Sequence, residues 1–138
     1  MNPYVRKVQY YETDQMGITH HANYVRWMEE ARIDLMEQMG YPYGDMEKRG
    51  VVSPVTNIQC KYLRPTTFGD TVEITVSVKE FNGVVLTLSY AGKKQDAEEN
   101  AFTAESQHVF LDKSGRFIRM KREQPDFCAA LEAQMNAQ

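Results

Sequence analysis

The chain has few cysteines and no long hydrophobic run. Only 2 of its 138 residues are cysteine, and Cys60 and Cys128 lie too far apart for a metal-binding or redox motif. We therefore expect two free thiols in a reducing, cytoplasmic environment. No stretch approaches the roughly 18 apolar residues that a membrane-spanning helix needs, and residues 1–11 lack the apolar centre of a signal peptide.

An excess of positive charge is also missing. The 16 Lys and Arg residues are outnumbered by 19 Asp and Glu residues, which gives a formal net charge of −3. A protein that binds nucleic acid through its phosphates needs a basic surface, so this balance argues against a nucleic-acid partner. The 42% of hydrophobic and 25% of charged residues are typical of a globular protein, and the length predicts a single domain over residues 1–138.

What the sequence does contain begins with one strand pattern and one helical pattern. Residues 4–12 predict a first strand and residues 13–21 a loop. Asn23 is a candidate N-cap for a long helix, which Gly40 and Pro42 would end. The apolar residues of that helix recur every three or four positions, at Tyr24, Trp27, Met28, Ala31, Leu35 and Met39.

The rest of the chain is dominated by strand patterns. Strands are predicted over residues 51–63, 71–79, 84–90, 102–110 and 117–120. The pair Asn82-Gly83 predicts a hairpin with a type I′ turn, and Pro125 predicts the start of a final helix. The sum is an α+β fold in which an antiparallel sheet wraps around one long central helix. Such a sheet leaves edge strands exposed, and pairing between two subunits would cover them.

The densest group of chemically active residues lies within residues 10–27. Asp14 and Gly17 belong to a loop just ahead of the predicted helix, and His20 and His21 lie near the helix start. Because a helix N-terminus presents free N–H groups and a partial positive charge, it can hold a developing oxyanion. An aspartate a few residues upstream could attack a carbonyl or activate water, although a loop aspartate is more often only a cap or a solvated turn residue.

Other chemistries fit the sequence less well. A metal site needs three or four converging ligands, and the near candidates are Asp14, His20 and His21, of which the adjacent histidines rarely point the same way. His108, within a strand pattern, is more typical of a hydrogen-bonded structural histidine. The sequence has no Gly-x-Ser-x-Gly nucleophile elbow and no glycine-rich phosphate loop. We therefore expect no metal and no cofactor.

Two motifs stand out in the chain. The first is Asp14-x-x-Gly17, followed by His21-x-Asn23-Tyr24-x-x-Trp27 and Glu30-Ala31-Arg32. The second is Tyr62-x-x-Pro65 with Gly69-Asp70. From Tyr4 to about Arg122 the chain resembles the hotdog-fold acyl-CoA thioesterases of the 4-hydroxybenzoyl-CoA thioesterase type. The resemblance implies a hotdog fold and the hydrolysis of an acyl thioester, with acyl-CoA or another acyl thioester as the substrate, to a carboxylate and a thiol.

The resemblance also implies roles for individual residues. Asp14 matches the catalytic carboxylate of the family, and His21 matches a position whose backbone N–H polarises the thioester carbonyl. His20 stands where an aromatic residue is commoner, which predicts a more polar or differently shaped acyl pocket. The family's sites lie between two subunits, so a homodimer or homotetramer is implied. The implied substrate-binding residues are Tyr10, Gly17, Tyr24 and Trp27.

Two other functions are possible on the same fold. A non-catalytic acyl-CoA-binding or regulatory module would keep the pocket and lose the acid, whereas Asp14 is present in its motif. A dehydratase-like enzyme would place a histidine and an acid differently, which Asp14-x-x-Gly17 does not match. Since fold alone does not decide function, these residues are what favours an acyl-CoA thioesterase. Whether Asp14 acts as nucleophile or general base, and which acyl group is cleaved, stay open.

Overall fold

The computed structural model describes residues 1–137, which form five strands, four helices and one 3₁₀ turn. The strands are β1 (Tyr4–Lys7), β2 (Val55–Tyr62), β3 (Thr71–Phe81), β4 (Val85–Lys94) and β5 (Asn100–Val109). The helices are α1 (Ala22–Gln38), α2 (Tyr43–Lys48), α3 (Met120–Glu123) and α4 (Pro125–Asn136), and the 3₁₀ turn spans Tyr10–Glu12. Among the described helices, none has the length and apolar character that crossing a membrane requires.

The five strands belong to one antiparallel sheet with the order β1-β3-β4-β5-β2. β1 pairs with β3, with Tyr4 opposite Ile74 and Lys7 opposite Thr71. Burial alternates at the start of β3, where Val72 and Ile74 are buried and their neighbours are not, as expected for a strand with one covered face. The sheet and the one long helix confirm the predicted α+β class. The order leaves β1 and β2 at the two edges.

Helix α1 buries five of the six residues that its periodicity predicts, whereas Met39 lies beyond the helix end at Gln38 and is partly exposed. Each of the following side chains is at most 5% exposed: Tyr24, Trp27, Met28, Ala31 and Leu35. These positions form one face of the helix. The predicted N-cap is wrong, because α1 already begins at Ala22. The side-chain amide of Asn23 donates instead to the Glu12 carbonyl, at 2.9 Å.

Gly40 ends α1 as predicted. Its φ of +89° lies in the left-handed region that favours glycine. The N–H of Gly40 donates to the Glu37 carbonyl at 3.0 Å, and the N–H of Tyr41 donates to the Met36 carbonyl at 2.9 Å. This pair of bonds is a Schellman motif. Pro42 then leads into α2, which the sequence does not predict because its 6 residues are too few for a periodic pattern.

The first strand is shorter than predicted. β1 ends at Lys7, and the chain then forms a 3₁₀ turn instead of continuing to Glu12. The Glu12 carboxylate accepts the N–H of Gln9 at 2.8 Å and so stabilises this turn. A buried carboxylate bonded to the backbone three residues earlier overrides the strand propensity of the tyrosines and valines.

Two further local predictions are wrong. The turn at Asn82-Gly83 connects β3 to β4, but only Gly83 has a positive φ, so the turn is not type I′. Residues 117–120 do not form a strand. Phe117 makes one isolated bridge with Leu111, and Met120 begins α3. The short apolar run there was too brief to distinguish strand from helix.

The chain divides into two compact units. The first comprises Met1–Leu35, Cys60–Val76 and Tyr90–Ala104, and the second comprises the remaining described residues. Both sequence motifs lie in the first unit. The second unit has an aromatic cluster of its own, in which the ring of Phe127 lies 5.3 Å from Tyr41 and 5.8 Å from Phe110. The single domain over residues 1–138 stays a prediction.

Candidate active site

Asp14 lies in the tip of a small hairpin that precedes α1. The Glu12 carbonyl accepts the His20 N–H at 2.8 Å, and the Asp14 N–H donates to the Ile18 carbonyl at 3.0 Å. The Gly17 N–H donates to the Asp14 carbonyl at 2.9 Å and closes the turn. Gly17 has a φ of +77°, which a residue with a Cβ adopts only with strain. The spacing Asp14-x-x-Gly17 is therefore the signature of a tight turn.

The Asp14 carboxylate is held by its own turn. Its Oδ1 accepts the N–H of Met16 at 2.8 Å, a local bond that aspartate commonly makes in turns. Its Oδ2 accepts no hydrogen bond from the part of the chain that the structure describes. One oxygen thus orients the carboxylate, and the other is available to a bound molecule.

A cavity of about 540 Å³ lies beside this hairpin. Asp14 and His21 both line it, so the structure brings the two predicted catalytic residues to one space. Much of the remaining wall is apolar and includes Ile18, Tyr24, Tyr62 and Leu63. An apolar cavity with a few polar groups is the usual form of a small-molecule site.

His21 offers a free backbone N–H at the start of α1. This N–H donates to no acceptor within residues 1–137, whereas the next one, of Ala22, donates to Nδ1 of His20 at 3.2 Å. The exposed imidazole of His21 stacks on His20, with ring centres 4.3 Å apart, and meets the edge of Tyr62 at 6.0 Å. A free N–H at a helix N-terminus can bind a negatively charged or strongly polarised oxygen.

Tyr24 is held in the cavity wall by buried hydroxyl groups. Its hydroxyl lies 3.0 Å from Oγ1 of Thr66, which lies 2.6 Å from Oγ1 of Thr19. Burial raises the pKa of Tyr24, so the phenol is neutral at physiological pH. Its ring packs against Tyr62 at 5.4 Å and Phe102 at 5.0 Å. The wall is thus a packed aromatic cluster.

Gly92 makes room for this cluster, and we expect Gly92→Ala to destabilise the protein by about 1–3 kcal/mol, the usual cost of overpacking. A Cβ at Gly92 would lie 2.1 Å from Cε1 of Phe102, whose ring contacts Tyr24. Urea unfolding measures the effect. Gly44→Ala is the matched control, since a Cβ there meets nothing within 4 Å. Equal free energies of unfolding for the wild type and Gly92→Ala would contradict the packing described.

Three of the predicted substrate-binding residues do not line the cavity. Trp27 is fully buried, and its indole N–H donates to Oε2 of Glu12 at 2.8 Å. Tyr10 is 75% exposed and packs edge-on against Phe68 at 5.6 Å. Gly17 acts through its backbone in the Asp14 turn. Of the four, Tyr24 alone lines the cavity, and substrate contact by the others stays a prediction.

Glu12 supports the site, although its position in the sequence gives no sign of this. The side chain is 2% exposed, and its carboxylate accepts hydrogen bonds at 2.8 Å from Arg6, Trp27 and the Gln9 N–H. Its carbonyl accepts the His20 N–H. These partners compensate the buried charge. Glu12 therefore joins β1, the 3₁₀ turn, the Asp14 hairpin and α1.

The second sequence motif also reaches the cavity. Tyr62, Leu63 and Arg64, at and just after the end of β2, are among its lining residues. Arg64 forms an ion pair with Glu99. Within residues 1–137, no cluster of three or more His, Cys, Asp or Glu side chains is placed to hold a metal ion.

Known proteins are similar to this chain in both sequence and fold. The family model of the thioesterase-like superfamily matches residues 8–134. The Bacillus subtilis protein named "Putative acyl-CoA thioesterase YneP" is 39% identical over 127 residues, which cover 91% of each chain. A 1,4-dihydroxy-2-naphthoyl-CoA hydrolase of Thermosynechococcus vestitus is 28% identical over 117 residues, or 80% of each chain.

A solved structure extends the likeness to the fold. The DHNA-CoA thioesterase from Staphylococcus aureus superposes with a TM-score of 0.90 at 28% identity, and the match covers 99% of this chain and 91% of that one. The predicted hotdog fold, and the resemblance to hotdog-fold thioesterases on which it rested, are confirmed. The match over residues 8–134 places the chain in the thioesterase-like superfamily, to which it belongs.

Proposed function

We propose that this protein is an acyl-CoA thioesterase that hydrolyses an acyl thioester to a carboxylate and a free thiol. One observation carries the proposal: Asp14, which has a free carboxylate oxygen, and His21, which has a free backbone N–H, line the same, otherwise largely apolar cavity. Relatives whose names state the hydrolysis of CoA thioesters support it.

Each part of the cavity has a role in this chemistry. The thioester carbonyl oxygen accepts the His21 N–H, which stabilises the negative charge that develops when the carbonyl carbon is attacked. The acyl group lies against the apolar wall formed by Tyr24, Tyr62 and Leu63. Substrate-binding roles for Tyr10, Gly17 and Trp27 remain part of the proposal. The reaction requires no cofactor.

Two routes are open to Asp14. In the first, its carboxylate attacks the carbonyl carbon, the thiolate leaves, and water hydrolyses the resulting anhydride. In the second, Asp14 takes a proton from a water molecule that attacks directly, and the thiolate leaves as the carboxylic acid forms. Both routes need a free carboxylate oxygen, and Oδ2 satisfies that requirement.

Thiol release from a panel of acyl-CoAs tests the proposed activity. The panel should contain short, long and aromatic acyl groups, including 1,4-dihydroxy-2-naphthoyl-CoA, which appears in the name of a relative. We expect turnover of at least one substrate at about 1 s⁻¹ or faster, as is typical of enzymes. Binding of acyl-CoA without thiol release from any substrate would contradict the proposal and favour a non-catalytic binding module.

We further propose that the working unit is a homodimer or homotetramer. β2 is an edge strand, and it exposes the apolar side chains Val55 (47%) and Ile58 (39%). An exposed, apolar edge strand is a ready site for pairing with another chain. A second copy paired along β2 would also cover the exposed Tyr62 and Leu63, which line the cavity.

Ile58→Lys should weaken this assembly at least about tenfold and lower activity with it, because a charge at a paired edge must be desolvated. Sedimentation velocity across a range of concentrations measures the assembly. Val84→Lys is the matched control, since Val84 is an exposed apolar residue next to the Asn82-Gly83 turn. A wild-type protein that is active as a monomer would contradict the proposed assembly.

A cytoplasmic location completes the proposal. Cys60 and Cys128 are both free thiols, and unpaired cysteines are typical of reducing compartments. Fractionation of the source cells with an antibody against the protein tests this location, and recovery outside the cytoplasm would contradict it.

A further inference from the structure

His20 lies in different surroundings from those that the family resemblance predicted. The resemblance predicted that His20 changes the polarity or shape of the acyl pocket, but His20 does not line the cavity. Instead, Nδ1 of its ring accepts the Ala22 N–H at 3.2 Å. The backbone N–H of His20 donates to the Glu12 carbonyl at 2.8 Å, and the backbone carbonyl of His20 accepts the Asn23 N–H at 3.0 Å. Ring and main chain together restrain the start of α1.

The hydrogen bond from the Ala22 N–H to Nδ1 of His20 caps the start of α1. The first N–H groups of a helix have no partner within the helix, and Asp, Asn, Ser or Thr side chains usually supply an acceptor. Here a histidine supplies it. Nδ1 can accept a hydrogen bond only when it carries no proton, so the proton of the neutral ring lies on Nε2. The same ring stacks on His21, with centres 4.3 Å apart and planes 25° apart.

These bonds surround the proposed oxyanion donor. The N–H of residue 20 is held by the Glu12 carbonyl, and the N–H of residue 22 is held by the His20 ring. Between them lies the N–H of His21, which is free within the described residues. A main-chain donor with both neighbouring N–H groups restrained has little freedom to rotate away from its target.

We propose that His20 is a positioning residue for thioester hydrolysis: Nδ1 of its imidazole caps α1 and so holds the His21 N–H towards the substrate carbonyl. This inference rests on the proposed function. The His20 ring does not line the cavity. Removing the ring therefore weakens the stabilisation of the transition state by the His21 N–H and leaves substrate binding in the ground state largely unchanged.

Two substitutions separate capping from stacking. His20→Phe keeps a ring that stacks on His21 but removes the acceptor. His20→Asn removes the ring but supplies a side-chain oxygen that caps helices well. We expect His20→Phe to lower kcat by about tenfold, part of the loss seen when an oxyanion donor is removed outright, with KM within about twofold. His20→Asn should keep kcat within about threefold of wild type.

The control removes a side-chain acceptor of backbone N–H groups from a turn elsewhere in the chain. Asp112 accepts the N–H groups of Ser114 and Arg116 in a turn of the second unit, and Asp112→Ala should leave kcat unchanged. All variants are compared at matching circular dichroism and oligomeric state. Wild-type kcat in His20→Phe, or equal impairment of His20→Phe and His20→Asn, would overturn the positioning role.

The rate of hydrogen exchange at the Ala22 amide, measured by NMR, tests whether the cap is formed and does not depend on activity. Exchange should be slow in the wild type and in His20→Asn and faster in His20→Phe. Equal exchange in all three proteins would overturn the cap. A wild-type protein that releases no thiol from any acyl-CoA would refute the proposed function and the positioning role with it, whereas the exchange data would still decide whether His20 caps α1.

Discussion

Replacing Asp14 by asparagine is expected to lower the turnover of acyl-CoA by about 10²–10⁴-fold, the range typical for loss of a catalytic base. Asparagine retains a side-chain oxygen, so the bond from the Met16 N–H, 2.8 Å long in the wild type, can form and the turn survives. The free Oδ2 becomes an amide nitrogen, which can neither attack a carbonyl carbon nor take a proton from water. The loss therefore falls on chemistry rather than on folding.

Asp112→Asn is the matched control for this substitution. Asp112 accepts the N–H of Ser114, two residues ahead, at 2.9 Å, which is the same local bond that Asp14 makes with Met16. Thiol release gives the turnover of each variant, and urea unfolding gives its stability. Both substitutions should leave the free energy of unfolding nearly unchanged, and Asp112→Asn should keep full turnover. Retention of more than about a tenth of wild-type turnover by Asp14→Asn would remove Asp14 from the proposed mechanism.

The second large effect is expected at the backbone of His21. His21→Pro deletes the free N–H and should lower turnover by about 10²–10³-fold, the usual cost of losing one oxyanion donor. This N–H makes no hydrogen bond within residues 1–137, so its removal breaks no protein bond. Proline is also tolerated at the start of a helix. We therefore expect a folded protein with an impaired site.

His21→Ala separates the backbone from the side chain. Alanine keeps the N–H and removes only the exposed imidazole with its contacts to His20 and Tyr62, so turnover should fall about tenfold or less. The two variants are compared at equal circular dichroism and equal oligomeric state. If His21→Ala loses as much turnover as Asp14→Asn, the imidazole itself takes part in the chemistry and the N–H is not the main contribution.

Much of the fold follows from patterns along the chain. The period of α1 and the alternation in β3 each report which side of one element is apolar, and that information is local. Predictions failed in segments of only a few residues. The 3₁₀ turn at Tyr10–Glu12 and the short helix α3 lie in segments too brief for either period to show. There, individual hydrogen bonds outweigh propensity.

Local structure likewise brings together some residues of the candidate site, whereas tertiary packing places the others. Asp14, Gly17 and His21 are close in sequence, and a tight turn followed by a helix start is enough to bring them together. Tyr62 and Leu63 lie more than forty residues after His21. Their place in the cavity depends on how the end of β2 packs against the Asp14 hairpin and α1, which no local pattern encodes.

The sequence by itself determined the class of the fold, the long buried helix, and the loop that places a carboxylate ahead of a helix N-terminus. Periodicity and turn chemistry act between neighbours in the chain, so they can be read without a structure. Only the tertiary structure decided that Trp27 bonds to Glu12 in the core and that His20 caps α1. The same residue types are found on surfaces and in pockets, and their roles are set by the partners that folding brings within hydrogen-bonding distance.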